Sequence, residues 1–197
     1  MDFPNNSYIK SEKRLDICAD TFYNDTVQAG LDCLSAWREA AMRSLYRYLN
    51  EVRKNSRLDE TEKFIQHGDT TCLLHTAAVA YYSIKLAERL GLKVNRKELI
   101  RGALLHDYFL YDWHDGKKER RIHGFTHPSR ALRNAMEDFE LTEREKDIIK
   151  KHMFPLTPIP PKFRESILVC IVDKYCSLYE TIKRKNTYAG LRAVIRR

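Results

Sequence analysis

Apolar residues recur every three to four positions through most of this chain, and the strict alternation of a half-buried strand is scarce. One amphipathic helix is predicted from Val27 to Lys54, with Leu31, Leu34, Ala41, Leu45 and Leu49 near one face. A shorter helix is expected around Glu60–Gln66. The stretch from Thr71 to Leu90 reads as a strong helix ended by Gly91, the residue best suited to a left-handed cap. Asn95 is placed to cap the next helix, with Glu98 where a capping-box partner belongs. That helix runs on through RKELIRGALLHDYFLYDW and is apolar nearly all round beyond Ile100, so it should be central and buried.

A polar stretch, HDGKKERRIHGF, then leads to His127-Pro128, where proline suits the first turn of a helix. Thr142 and Glu145 form a second capping box that opens a helix to Met153. PLTPIPP must be an ordered or extended connector, since proline cannot continue a helix. A last long helix is expected over about Phe163 to Lys185. No internal repeat or linker interrupts these elements. The pattern predicts an all-α helical bundle of residues 61–197, with an N-terminal helical extension, residues 1–60, packed on it.

A chain of 197 residues is long enough to bury a proper core. No apolar run approaches the ~20 residues of a membrane span, and MDFPNNSYIK has no basic-then-apolar signal pattern. The five cysteines (Cys18, Cys33, Cys72, Cys170, Cys176) are odd in number and scattered, which suggests reduced thiols and a cytoplasmic protein without membrane association. The net charge of +8 favours an anionic ligand. Basic residues cluster at Lys117-Lys118 with Arg120-Arg121, at Lys150-Lys151, and from Lys183 to Arg197. The last cluster lacks the interleaved aromatics of a stacking platform, which argues against nucleic acid as the partner.

Six polar residues break the apolar faces: His75, the pair His106-Asp107, His127, His152 and Asp173. Around His75 the same face carries Cys72, Ala78 and Val79, and around Asp173 it carries Val169, Cys170 and Cys176. Gly102 and Ala103, one turn before His106, are small enough for close approach of another helix. Buried Asp107 and Asp173 need cations, yet no Lys or Arg occupies their i±3 or i±4 positions. A divalent metal suits this mixture of imidazole and carboxylate, and helical bundles build metal sites from such inward-facing residues. A single histidine on an apolar face is more often a hydrogen-bonded core residue; the weight here comes from several together.

The order H…HD…D, here His75, His106-Asp107 and Asp173, resembles the signature of the HD-domain superfamily of metal-dependent phosphohydrolases, over about Gln66 to Glu180. The phrases LLHD, HGFTHPSRAL, IIKKHMFPLTP and VDKY look like those of an uncharacterised bacterial subgroup. His127 and His152 resemble the additional ligands of two-metal members. The resemblance implies that Asp107 bridges two divalent ions, with His75, His106 and Asp173 on one and His127 and His152 on the other. His123 competes with His127, which is preferred for its place before Pro128. The implied reaction is hydrolysis of a phosphoester or phosphoanhydride of a nucleotide or similar small molecule by a hydroxide held between the metals. Mn, Fe, Co, Ni or Zn suits mixed N/O ligands better than Mg.

Arg130, one turn after His127, and Lys174, beside Asp173, are candidate phosphate clamps, and Lys117, Lys118, Arg120 and Arg121 a candidate lid. Tyr111 and His114 would face the site if their helix continues past Asp107. Tyr108, Phe109 and Trp113 are candidates to stack on a base, with core packing the commoner fate, and His67 is expected to support the site or the fold. Leu110 stands where cyclic-dinucleotide hydrolases of the superfamily carry the lysine of HDIGK, and Tyr108 to Tyr111 hold no carboxylate such as guanosine-tetraphosphate hydrolases carry. Both substrate classes are disfavoured. The same ligands also resemble those of HD-fold di-iron oxygenases, and a metal-holding regulatory module without turnover is a further alternative. A homodimer is compatible with the N-terminal extension.

Overall fold

The computed structural model describes residues 38–54, 56–112 and 123–196. The expected helical positions 27–37 with Leu31 and Leu34, the basic stretch at 117–121, Trp113, His114, Cys18 and Cys33 lie outside them. The chain divides into two compact units, residues 1–40 and 41–197. Of the first unit only 38–40 are described, and they are helical. The second unit carries every other element among the described residues.

Helix α1 is helical over 38–53 and presents Ala41, Leu45, Leu49 and Val52 to the core. A 3-10 turn, Leu58–Lys63, and a short hairpin, β1 (Ile65–His67) and β2 (Thr70–Thr71), come next. Five further helices build the domain: α2 (Cys72–Arg89), α3 (Arg96–Leu105), α4 (His123–Asp138), α5 (Glu143–Lys151) and α6 (Arg164–Lys183), with a short α7 (Ala189–Ile195) after them. Among the described residues the fold is all-α apart from the one hairpin. Helix α2 is the central one, since 13 of its 18 residues are buried. It packs on α3 and α6, and α5 packs on both of these as well, so the four helices form a closed ring. Helix α4 leans on α5 from outside the ring. No helix among the described residues is long and apolar enough to cross a membrane.

Several caps match the local chemistry. The Thr71 side chain accepts from Leu74 N–H to open α2, and Gly91, at φ +61°, lets the chain leave it. Thr142 and Glu145 form the reciprocal capping box of α5. Asn95 caps α3 through its side chain, but the box with Glu98 does not form. The Asn95 N–H donates to Glu165 instead, and Glu98 pairs with Arg144.

Three expectations are corrected. Residues 60–66 are not an α-helix: Gly68, at φ +59°, turns the chain into the hairpin, and Asp69 N–H donates to the Arg184 carbonyl at the end of α6. A Cβ at Gly68 would lie 2.7 Å from that carbonyl oxygen, so the turn needs glycine. Helix α3 ends at Leu105 rather than near Trp113. Tyr108 is captured there, its hydroxyl donating to Asp138 and accepting from Arg57 N–H while its carbonyl accepts from Asn134. Finally, α4 already contains His123, so Pro128 lies inside the helix rather than at its start.

PLTPIPP is the non-helical connector expected of it, and Asp147 ties it down. One carboxylate oxygen accepts from the Lys162 N–H at 2.8 Å, and the other pairs with Lys151 at 2.6 Å. Burial alone would raise the Asp147 pKa, but Lys151 and the Lys162 N–H outweigh it and hold the carboxyl below its ordinary value. A depressed folded-state pKa adds stability above about pH 4, lost as pH falls through the folded value. Asp147→Asn should therefore cost about 1–3 kcal/mol at neutral pH. Urea unfolding should find the gap to the parent narrowing toward pH 3; a gap independent of pH would contradict this.

Candidate metal centre

Each helix of the ring brings at least one ligand to the same point. His75 comes from the first turns of α2, His106 caps the C-terminus of α3 with Asp107 next to it, His152 caps α5, and Asp173 lies in the middle of α6. Helix α4 adds His127. All six residues are buried, none more than 6% exposed. His75 Nε2 lies 3.1 Å from Asp173 Oδ1 and 3.8 Å from Asp107 Oδ2. His106 Nε2 lies 3.4 Å from Asp107 Oδ2 and 3.6 Å from Asp173 Oδ1. On the far side of the same carboxylate, Asp107 Oδ1 is 3.2 Å from His127 Nε2 and 3.6 Å from His152 Nε2. The two Nε2 atoms of His127 and His152 stand 2.8 Å apart.

Asp107 thus turns one oxygen to each of two histidine groups. Among the described residues, two overlapping sets could each hold a divalent ion, His75–His106–Asp173 and His106–Asp107–His152.

The histidines are prepared as ligands. His106 Nδ1 lies 2.7 Å from the Ala103 carbonyl and His152 Nδ1 2.9 Å from the Ile149 carbonyl. A carbonyl only accepts, so each Nδ1 carries the hydrogen and each Nε2 faces the cluster, where its lone pair would serve a metal once the ring is neutral. His75 Nδ1 is held by Glu180, whose carboxylate oxygens lie 2.9 and 3.0 Å away. Such support of the non-ligating nitrogen is the usual companion of metal-binding histidine. Gln66 Nε2 donates to Asp107 Oδ2 at 2.7 Å, and Ser177 to Asp173 Oδ1 at 3.4 Å.

A divalent ion fits this arrangement. His106 Nε2 and Asp107 Oδ1 are fully buried and receive no aligned hydrogen bond, which is costly for a polar group unless another partner is intended. Nitrogen and carboxylate donors in this ratio match Mn, Fe, Co, Ni or Zn.

The electrostatics follow from these contacts. Burial should raise the carboxyl pKa values, yet the surrounding imidazoles hold Asp107 and Asp173 well below the ordinary range. Burial lowers His75 and His106, but Glu180 and Asp173 outweigh it at His75, and Asp107 and Asp173 outweigh it at His106; both end above the usual histidine value. His152 goes the other way, pushed down to about 3 by burial and by the neighbouring His106 and His127. It stays neutral at any physiological pH, the form a metal requires.

The remaining expected residues surround this cluster or lie apart from it. His127 is only 4% exposed and reaches Asp107, although its position before Pro128 is not what places it; the side chain of His123 lies outside the described residues. Arg130 holds its guanidinium over the Tyr111 ring, 5.2 Å from the centroid. Lys174 directs its amine to the carbonyls of His152 and Cys170, at 2.8 and 3.1 Å. Tyr108 packs in the core, and Phe109 sets its ring edge-on to His127, with 5.9 Å between centroids. Tyr111 follows the end of α3, so the helical extension that would aim it at the site does not exist. The His67 ring stands edge-on to His75, 6.2 Å between centroids. Cys72, Cys170 and Cys176 are buried free thiols.

Two residues at the cluster escape a reading of the sequence. Glu180 carries a usable signal, since it falls two turns after Asp173 on one face of α6. Gln66 carries none: a polar residue on a short strand reveals nothing of its partner.

No curated protein and no solved structure matched the chain. The family model described as HD domain matches residues 73–178, more than half of the chain. The matched span contains all six clustered residues and stops just before Glu180. The chain belongs to the HD-domain family, a family of metal-dependent phosphohydrolases.

Proposed function

We propose that this protein is a phosphohydrolase holding two divalent ions, which cleaves a phosphoester or phosphoanhydride of a nucleotide or related small molecule in the cytoplasm. The observation that carries the reading is Asp107, whose two buried oxygens face separate histidine groups at 3.2–3.8 Å. When bound, the ions supply Lewis acidity, activating water and offsetting charge on phosphoryl oxygens.

The chain's own residues do the rest. His75, His106 and Asp173 hold the first position, His127 and His152 the second, and Asp107 joins them. The Ala103 and Ile149 carbonyls fix two of the rings, so little reorganisation accompanies binding. Arg130 is the cation assigned to the substrate phosphate, with Tyr111 steadying its guanidinium. Lys174 is the weaker candidate: to reach a phosphate its amine must leave the His152 and Cys170 carbonyls, and where it stands it steadies the end of α5 that presents His152.

The test is phosphate release from a panel of nucleotides and simple phosphoesters, using chain loaded with Mn²⁺, Fe²⁺ or Zn²⁺ and chain treated with chelator. Metal-dependent release that the chelator abolishes is expected. Bound metal with no release from any substrate would favour a regulatory module, and oxygen uptake by the iron-loaded chain without hydrolysis would favour an oxygenase.

A further inference from the structure

We propose that Gln66 is the positioning residue of Asp107: it holds the carboxylate turned so that one oxygen serves each metal position, and the β1–β2 hairpin is bulged to place it there. The proposal rests on the reading that the cluster binds two divalent ions.

Strand β1 is built against the hydrophobic effect. Ile65 is 41% exposed and its neighbour Gln66 only 7%, so the strand turns its apolar side chain out and its amide in. A shift of one residue would reverse this. The pairing with β2 is also irregular: Ile65 lies opposite Thr71 and His67 opposite Thr70, which leaves Gln66 as the extra residue on its strand. A bulge of this kind re-aims a side chain. The hairpin that carries it is seated at several points. The Asp69 N–H donates to the Arg184 carbonyl at 3.0 Å, the Cys72 N–H to the Phe64 carbonyl at 2.8 Å, and the Thr70 and Thr187 hydroxyls meet at 2.7 Å.

At the cluster, Gln66 Nε2 donates to Asp107 Oδ2 at 2.7 Å. A carboxylate only accepts, which assigns the NH₂ to this contact and leaves Oε1 on the other side of the amide. That oxygen is buried and no described residue donates to it, so the amide serves Asp107 at some cost to the fold. The need for it lies in the carboxylate itself. Rotation about the last bond of an aspartate is only weakly restricted, and a carboxylate free to turn would give both oxygens to one ion. The hydrogen bond from Gln66 occupies one lone pair of Oδ2 and fixes the plane. Oδ1 is thereby kept 3.2 Å from His127 Nε2 and 3.6 Å from His152 Nε2.

Low-temperature electron spin resonance of the full chain loaded with Mn²⁺ tests this without any substrate, with equilibrium binding to give the affinities and thermal unfolding to follow the fold. The parent chain should hold two ions and show the signal of an exchange-coupled pair. Gln66→Met keeps the length of the side chain but cannot donate. It should melt within about 4 °C of the parent or above it. The coupled signal should give way to that of isolated ions, and the second ion should bind about tenfold more weakly. Gly68→Ala, which disturbs the hairpin seat at Arg184 without touching Asp107, should weaken the coupled signal as well. A Gln66→Met chain with the parent's signal and affinities would overturn the proposal while leaving the metal reading intact. Loss of the signal with a larger fall in melting temperature would reduce Gln66 to a structural role and overturn it too, as would two uncoupled ions in the parent. An unaltered signal in Gly68→Ala would overturn the part given to the hairpin. A parent chain that binds no Mn²⁺ would instead overturn the metal reading itself. Gln66→Leu keeps the test open if the methionine variant fails to fold.

Discussion

Asp107→Ala should lower metal-dependent phosphate release on the order of a thousandfold or more. Metal contributes several kcal/mol of charge stabilisation in such sites, and each 1.36 kcal/mol is worth a factor of ten in rate. The two oxygens of Asp107 reach both histidine groups, so its loss should weaken both positions together. His127→Ala should weaken only the second. Asp107→Asn is the sharper variant because it preserves shape and keeps one acceptor while removing the charge that four imidazoles surround. Full activity in either Asp107 variant, with unchanged metal content by elemental analysis, would contradict the assignment.

The second large effect is on the scaffold. Helices α3 and α5 each deliver a ligand from their C-terminus, and they approach at Gly102. A Cβ there would lie 2.5 Å from Ile148 Cδ1 and 3.1 Å from its Cβ and Cγ2. Ile148 is fully buried and stiff at χ1, so it cannot turn aside. Gly102→Val should force the helices apart at a cost of about 3 kcal/mol, lowering the melting temperature by roughly 6–12 °C in a chain of this length. His106 and His152 would separate as well, so metal affinity should fall alongside stability. Adding Ile148→Ala should restore part of both, since the two side chains contend for one space. An additive double variant, or a single variant as stable as the parent, would show that the contact does not set the helix spacing.

How far the sequence reveals this molecule depends on the range of the forces involved. Thr71, Gly91, Asn95 and the Thr142–Glu145 pair announce helix ends because a cap is satisfied by backbone only three or four residues away. The six ligands are legible for a related reason: histidine and aspartate on faces otherwise made of Ala, Val, Leu and Ile demand an explanation wherever the helices pack. The end of α3 is not legible. RKELIRGALLHDYFLYDW has helical periodicity throughout, and the chain departs because Tyr108 is claimed by Asp138, Asn134 and Arg57, residues distant in sequence. The Asn95 box fails likewise, since Glu165 takes the N–H that Glu98 would have received. Gln66 is known only by what it touches, whereas Glu180 has the spacing from Asp173 as its signal. His127 stands out in the sequence for a proline that in fact lies inside its helix, and α7 shows there merely as a basic tail.

The most direct measurement is native mass spectrometry of the full chain equilibrated with Mn²⁺, which counts ions per chain. Two ions on the parent, with both lost or strongly weakened in Asp107→Ala, is the predicted result. A folded parent chain that carries none would contradict the metal centre and, with it, the hydrolytic chemistry assigned to this fold.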